Sequence, residues 1–109
     1  VTKALEEFEV WLVAGSQEMY GTEVLRRVEE HAREIAASLD AEEAVPVRVL
    51  QKGVATSPEA ILAVMREANA AATCVGVVAW MHTFSPAKMW IAGLTSLRKP
   101  LLHLHTQFN

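Results

Sequence analysis

Cysteine is almost absent. Cys74 stands alone among 109 residues, so the chain forms no internal disulfide and has no paired-cysteine metal motif, a usage that suits a reducing compartment. Aromatic residues are sparse at 6%, and the ten Lys and Arg are scattered from Lys3 to Lys99 against 13 Asp and Glu, a formal net charge of −3. No basic stripe interleaved with aromatics emerges, which argues against a nucleic-acid surface. Long apolar runs are also missing. The longest, residues 70–81, includes Thr73 and Gly76 and falls far short of the roughly 20 residues a membrane span needs. The opening VTKALEEFEV carries acids where a secretory leader has a basic region and then an apolar one, so export is not indicated.

What is present is 51% hydrophobic and 21% charged residues, the ordinary composition of one small globular domain. A chain of this size buries only about two-thirds of the surface its unfolded form exposes, enough for one core. Residues 1–109 are therefore read as one unit. Either end is read as a potential cut from a longer protein.

Four apolar runs alternate with three segments of helical period. FEVWLVA, residues 8–14, is β-branched and aromatic and stops at Gly15, which predicts a buried strand. Between residues 22 and 39, Val24, Leu25, Val28, Ala32, Ile35, Ala36 and Leu39 recur at three- and four-residue steps with charges between them, an amphipathic helix. A second strand is expected over residues 45–50, with Pro46 near its start, where a missing N–H is best tolerated. Ser57 is placed to cap a helix opened by Pro58, with Ile61, Val64, Met65 and Ala68 on one face. Residues 74–81 are apolar on both alternating faces, as in a central parallel strand. Ser85 and Pro86 repeat the capping device before a helix whose Trp90, Leu94 and Leu97 share a face. A last strand is expected from about Leu101 to His105.

Short connections and right-handed crossovers make this β-α-β-α-β-α-β series an α/β fold: a three-layer α/β/α arrangement around an open, parallel, four-stranded sheet of order 2-1-3-4, flavodoxin-like or Rossmann-like. The first helix covers one face and the other two cover the opposite one. A further helix that would complete the first face is missing, so the fold is expected to be incomplete at its C-terminus. Part of the third and fourth strands is then bare, a patch monomers usually avoid.

Ligands of open parallel sheets bind outside the carboxyl ends of the strands, and the polar signals of this sequence fall there: 15–21, 52–57, 82–85 and 105–109. The first of these, GSQEMYG, has neither a G-x-G-x-x-G nor a G-K-[ST] pattern, which disfavours a nucleotide. Ser16, Gln17 and Tyr20 beside Met19 mix hydrogen-bonding groups with an apolar wall, a combination suited to a polyhydroxylated ligand. His103 and His105 share one strand face and His82 ends the neighbouring strand, a spacing compatible with a divalent metal. However, 82–109 contains no Asp or Glu to suit a hard cation, so structural or hydrogen-bonding roles are favoured for these histidines and no metal ligand is assigned. Lys88 falls in the first turn of a helix, where a cation needs a compensating carboxylate or carbonyl. His31 reads as a surface residue, Cys74 as a buried filler, and Trp11, Trp80 and Trp90 as core or docking residues. There is no nucleophile–base pair and no carboxylate pair placed for acid–base work, so no catalytic residue is assigned to this chain.

The strings EVWLVAGSQEMYG, GVATSPEAI, VVAWMHTFSPAKMWIAGL and KPLLHLHTQFN resemble the amino-terminal domain of bacterial L-arabinose isomerase over residues 7–109. The resemblance implies a cytoplasmic, homo-oligomeric parent enzyme of arabinose catabolism that interconverts L-arabinose and L-ribulose, and D-galactose and D-tagatose. It implies an enediol route in which Mn²⁺ polarises the sugar oxygens and paired glutamates act as acid and base, with the metal and acid–base residues in later domains. This chain would then wall the active site of a neighbouring subunit. By motif position Gln17 would hydrogen-bond a sugar hydroxyl, Met19 would form the apolar side and Tyr20 would support the loop. Met19 replaces a leucine associated with that position, a volume-conserving change. Ser16, His82, Thr83, Lys88, His105 and Gln107 receive a supporting or subunit-contact role, and His103 falls outside the matching strings. An alternative is a standalone flavodoxin-like module that binds a sugar or another partner without catalysis. A third reading makes the domain an assembly element only.

Overall fold

The computed structural model describes residues 5, 7–15, 21–42, 44–81 and 87–104. Strand β1 (Glu9–Gly15) leads to helix α1 (Gly21–Ala41), β2 (Arg48–Ala55), α2 (Pro58–Ala70) and β3 (Cys74–Met81). A 3-10 turn (Ala87–Trp90), α3 (Ile91–Ser96) and β4 (Leu101–Leu104) follow. All strand pairs are parallel and the order is β2-β1-β3-β4, the three-layer α/β/α arrangement that the alternation predicts.

Two apolar clusters lie on opposite faces of the sheet. On one, Leu12, Ala14, Val49, Val78 and Trp80 meet Val28, Ala32 and Ala36 of α1. On the other, Trp11, Val13, Val77 and Ala79 meet Ile61, Met65 and Ala68 of α2, with Met89 and Trp90. Strand side chains alternate between faces, so β1 feeds both clusters and forms the centre of the molecule. Trp11, Trp80 and Trp90 are buried, and buried Cys74 turns its thiol to the carbonyl of Gly76, in keeping with a filler. His31 is half-buried rather than fully exposed.

Local chemistry explains the helix starts and stops. The Ser57 hydroxyl accepts from the Ala60 amide at 3.1 Å and Pro58 opens α2, the expected device. On α1, Arg26 pairs with Glu23 and Glu30, and Arg33 with Glu29, at three- and four-residue spacing. At the far end of α1, Asp40 accepts from the Val49 amide at 2.9 Å and ties the helix to β2.

Two expectations need correction. Strand β2 spans Arg48–Ala55, starting later and running further than residues 45–50. Gly53, at φ +85°, forms an irregularity opposite β1, after which pairing resumes as Ala14 with Val54 and Gly15 with Ala55. The glycine bends the strand without ending it. The third helical segment is a 3-10 turn followed by only six α-helical residues. Gly93 in α3 lies so close to α2 that a Cβ there would be 2.7 Å from Ile61 Cγ2. Ser85 and Pro86 lie outside the described residues.

The face of the sheet that α1 covers remains open near the start of β3 and β4. Val10, Val75, Gly76, Val78, Pro100 and Leu102 line a shallow apolar groove of about 260 Å³, and Leu102 is 62% exposed.

Candidate functional site

The register sets the carboxyl ends of the strands along one edge. Gly15 pairs with Ala55 on one side and Met81 on the other, and Trp80 pairs with Leu104. The chain positions from which Ser16 and His82 continue are therefore adjacent, and His105 follows from the next strand. Ser16, Gln17, Met19, Tyr20, His82, Thr83, His105 and Gln107 themselves lie outside the described residues. The backbone of Lys88 lies in the 3-10 turn beside Met89 and Trp90. Exposed His103 is on β4, opposite Ala79.

Beneath this edge lies a contact that sequence periodicity does not reveal. Trp90 packs against the backbone of Gly15, where a Cβ would overlap Trp90 Cζ2 and lie 3.4 Å from Nε1. Only a glycine permits this approach. Trp90 is 1% exposed, and its buried indole N–H has no hydrogen-bond acceptor among the described residues. A glycine ending a strand and a tryptophan in a later apolar face are both visible in the sequence, but nothing in their spacing links them.

Other polar groups near the edge already have partners. The Ser57 hydroxyl is engaged by its cap. In the first turns of α1, Arg26 donates to Glu23 at 2.8 Å and to Glu30 at 2.6 Å. The hydrogen bond from Arg26, and then its charge, hold the Glu23 carboxyl below the usual glutamate range, and Glu23 raises Arg26 in return. Further down the sheet, Glu9 accepts from Trp11 Nε1 at 2.9 Å and from Arg48 at 2.8 Å, while Lys52 sits 4.2 Å from the Trp11 ring centroid and 3.7 Å from Glu67. These contacts knit β1, β2 and α2 together.

Among the described residues no three His, Cys, Asp or Glu side chains gather to hold a metal ion. They do not fit the divalent ion the resemblance implies, and no chemical step is derived through one. Among them, too, no helix is long and apolar enough to cross a membrane.

Comparison with known proteins fits the motif strings. The family model of the L-arabinose isomerase N-terminal domain matches residues 4–109. Similar curated proteins include the L-arabinose isomerases of Koribacter versatilis, 62% identical over 105 residues, and Herpetosiphon aurantiacus, 59% identical over 105, each alignment covering 96% of this chain and 21% of the relative. That of Geobacillus stearothermophilus is 56% identical over 106 residues, covering 97% of this chain and 21% of its own length. The chain thus spans about a fifth of the length of these relatives. With that match running through all four strands and the segments that follow them, the chain belongs to the L-arabinose isomerase N-terminal domain family.

Proposed function

We propose that residues 1–109 are the amino-terminal α/β domain of a larger cytoplasmic aldose–ketose isomerase, and that the domain supplies substrate-covering segments and subunit contacts to that enzyme. The reaction is the interconversion of L-arabinose and L-ribulose, with D-galactose and D-tagatose as a second pair. The observation that carries this reading is the alignment of Gly15, Met81 and Leu104 along one sheet edge, because the motif residues Gln17, Met19, Tyr20, His82 and His105 all continue from those strand ends. Parallel sheets present their ligands at this edge.

In this reading Gln17 donates to and accepts from sugar hydroxyls, Met19 covers the C–H face of the sugar, and Tyr20 supports both. Ser16, His82, Thr83, Lys88, His105 and Gln107 stand behind them or at the contact with a neighbouring subunit of a homo-oligomer. Proton transfer between C1 and C2, and the Mn²⁺ that the family uses, belong to other parts of the parent protein.

The test is Gln17→Ala in the full-length isomerase. Loss of a contact made equally to substrate and transition state raises KM for L-arabinose and leaves kcat nearly unchanged. An unchanged KM would remove the sugar-contact role and leave assembly as the task of the domain.

A further inference from the structure

We propose that Trp90 is a positioning residue for sugar binding, acting through Gly15 by fixing the direction in which the chain leaves β1. The inference rests on the reading of Gln17 as a sugar contact, and adds to it a residue that lies in another element.

Three observations converge on this. Gly15 is held on both sides, by pairing to Ala55 and Met81, so its backbone cannot drift within the sheet. From below it is held by the indole of Trp90, whose Cζ2 would overlap a Cβ placed there. Trp90 in turn belongs to the buried cluster that includes Ile61, Met65 and Met89, and at 1% exposure its ring has no room to swing aside in a close-packed interior. Gln17 comes only two residues after Gly15 in the sequence, close enough for a shift of Gly15 to reach it.

A fourth observation separates this role from plain core filling. The buried Nε1–H of Trp90 has no acceptor among the described residues, and an unsatisfied buried donor is costly. A phenyl ring would fill an apolar core without that cost. The indole instead supplies width at the point where the strand ends, and its long edge is what meets Gly15.

The experiment uses the full-length isomerase and compares KM and kcat for L-arabinose across five variants. Gly15→Ala forces the backbone off a ring that cannot yield, and misplacement on the ångström scale costs reactions tenfold or more, so KM is expected to rise about tenfold with a smaller change in kcat. The double variant Gly15→Ala/Trp90→Phe removes the atoms the new methyl strikes, and its KM should fall back toward that of Trp90→Phe alone. Such non-additivity is the signature of direct coupling. Val28→Ala, in the cluster on the opposite face, destabilises the domain by opening a cavity and should leave KM unchanged.

A folded Gly15→Ala enzyme with the parental KM overturns the proposal, as does a double variant no better than Gly15→Ala. If Gly15→Ala yields no folded protein, Trp90→Phe decides: a raised KM supports the seat and a parental KM overturns it. Gln17→Ala in the same series separates the two levels. A raised KM there with a flat Gly15→Ala result sinks only the positioning role, whereas a flat Gln17→Ala result sinks the sugar-contact reading and this inference with it.

Discussion

Asn69→Ala should loosen the α3–β4 end of the domain while leaving α1 intact. Asn69 lies in the last turn of α2 and bridges two backbone groups at the end of α3: its Nδ2 donates to the carbonyl of Ser96, the last residue of α3, at 2.7 Å, and its Oδ1 accepts from the Arg98 amide at 2.8 Å. A net hydrogen bond contributes about 1 kcal/mol, and an orphaned half-buried carbonyl costs about 1–1.5 kcal/mol. Because Arg98 is exposed, its amide regains water and loses only about 0.5 kcal/mol. The greater helix propensity of alanine returns about 0.3 kcal/mol at a helix end. The balance is a local loss of about 1.2–1.7 kcal/mol, or a roughly 8- to 18-fold rise in the opening equilibrium. Amide hydrogen exchange should therefore accelerate by that factor over α3 and β4 and stay constant over α1. Asn69→Asp keeps an acceptor for Arg98 but sets a carboxylate oxygen against the Ser96 carbonyl, so it should cost at least as much. Unchanged exchange in α3 and β4, or equal acceleration in α1, would refute the latch.

Gly53→Ala should destabilise the domain by about 1–2 kcal/mol, since φ +85° is unfavourable for an L side chain even where space is open; a neutral result in denaturant unfolding would deny that Gly53 sets the β2 irregularity. The Glu23 carboxyl should titrate, by NMR, below the usual glutamate range. Its folded value is depressed, so its contribution is present above the unfolded value and is lost as pH falls through the folded one. Arg26→Ala should bring that midpoint back up, and no movement would remove Arg26 as the cause. The isolated chain should self-associate through the groove beside Leu102, and Leu102→Glu should disperse it; sedimentation showing a monomer of the parental chain at all concentrations would count against an uncovered face.

How far the sequence could be read depended on the range of the interaction. Strand β3 spans residues 74–81 as its alternating apolar pattern predicts, and α2 starts at Ser57 and Pro58, because each signal acts within a few residues. The sheet order 2-1-3-4 is one of several that right-handed crossovers allow; given that order, handedness puts α1 on one face and α2 and α3 on the other. The second strand reads as ending near Leu50 because polar Gln51 and Lys52 and then Gly53 follow, and only the partner strand shows that pairing resumes beyond them. The Gly15–Trp90 seat, the Asn69 latch and the Lys99 ammonium that reaches the carbonyls of Ala71 and Cys74 join residues far apart in the chain, where no period or cap announces them. The candidate site was legible only as a set of strand ends; what those ends carry came from motif strings.

The place of β1 also shapes how the domain comes into being. Of the two inner strands, β1 is synthesised before its neighbours: Arg48, its first partner across from Glu9, comes 39 residues later, and its other flank waits for Cys74. At ribosomal speeds of roughly 5–20 residues per second that interval is on the order of several seconds. During it the nascent FEVWLVA segment has both edges unpaired and both faces uncovered. A strand buried in the finished domain is thus exposed while it waits for its neighbours, and a chaperone that grips short apolar segments would find a client sequence there.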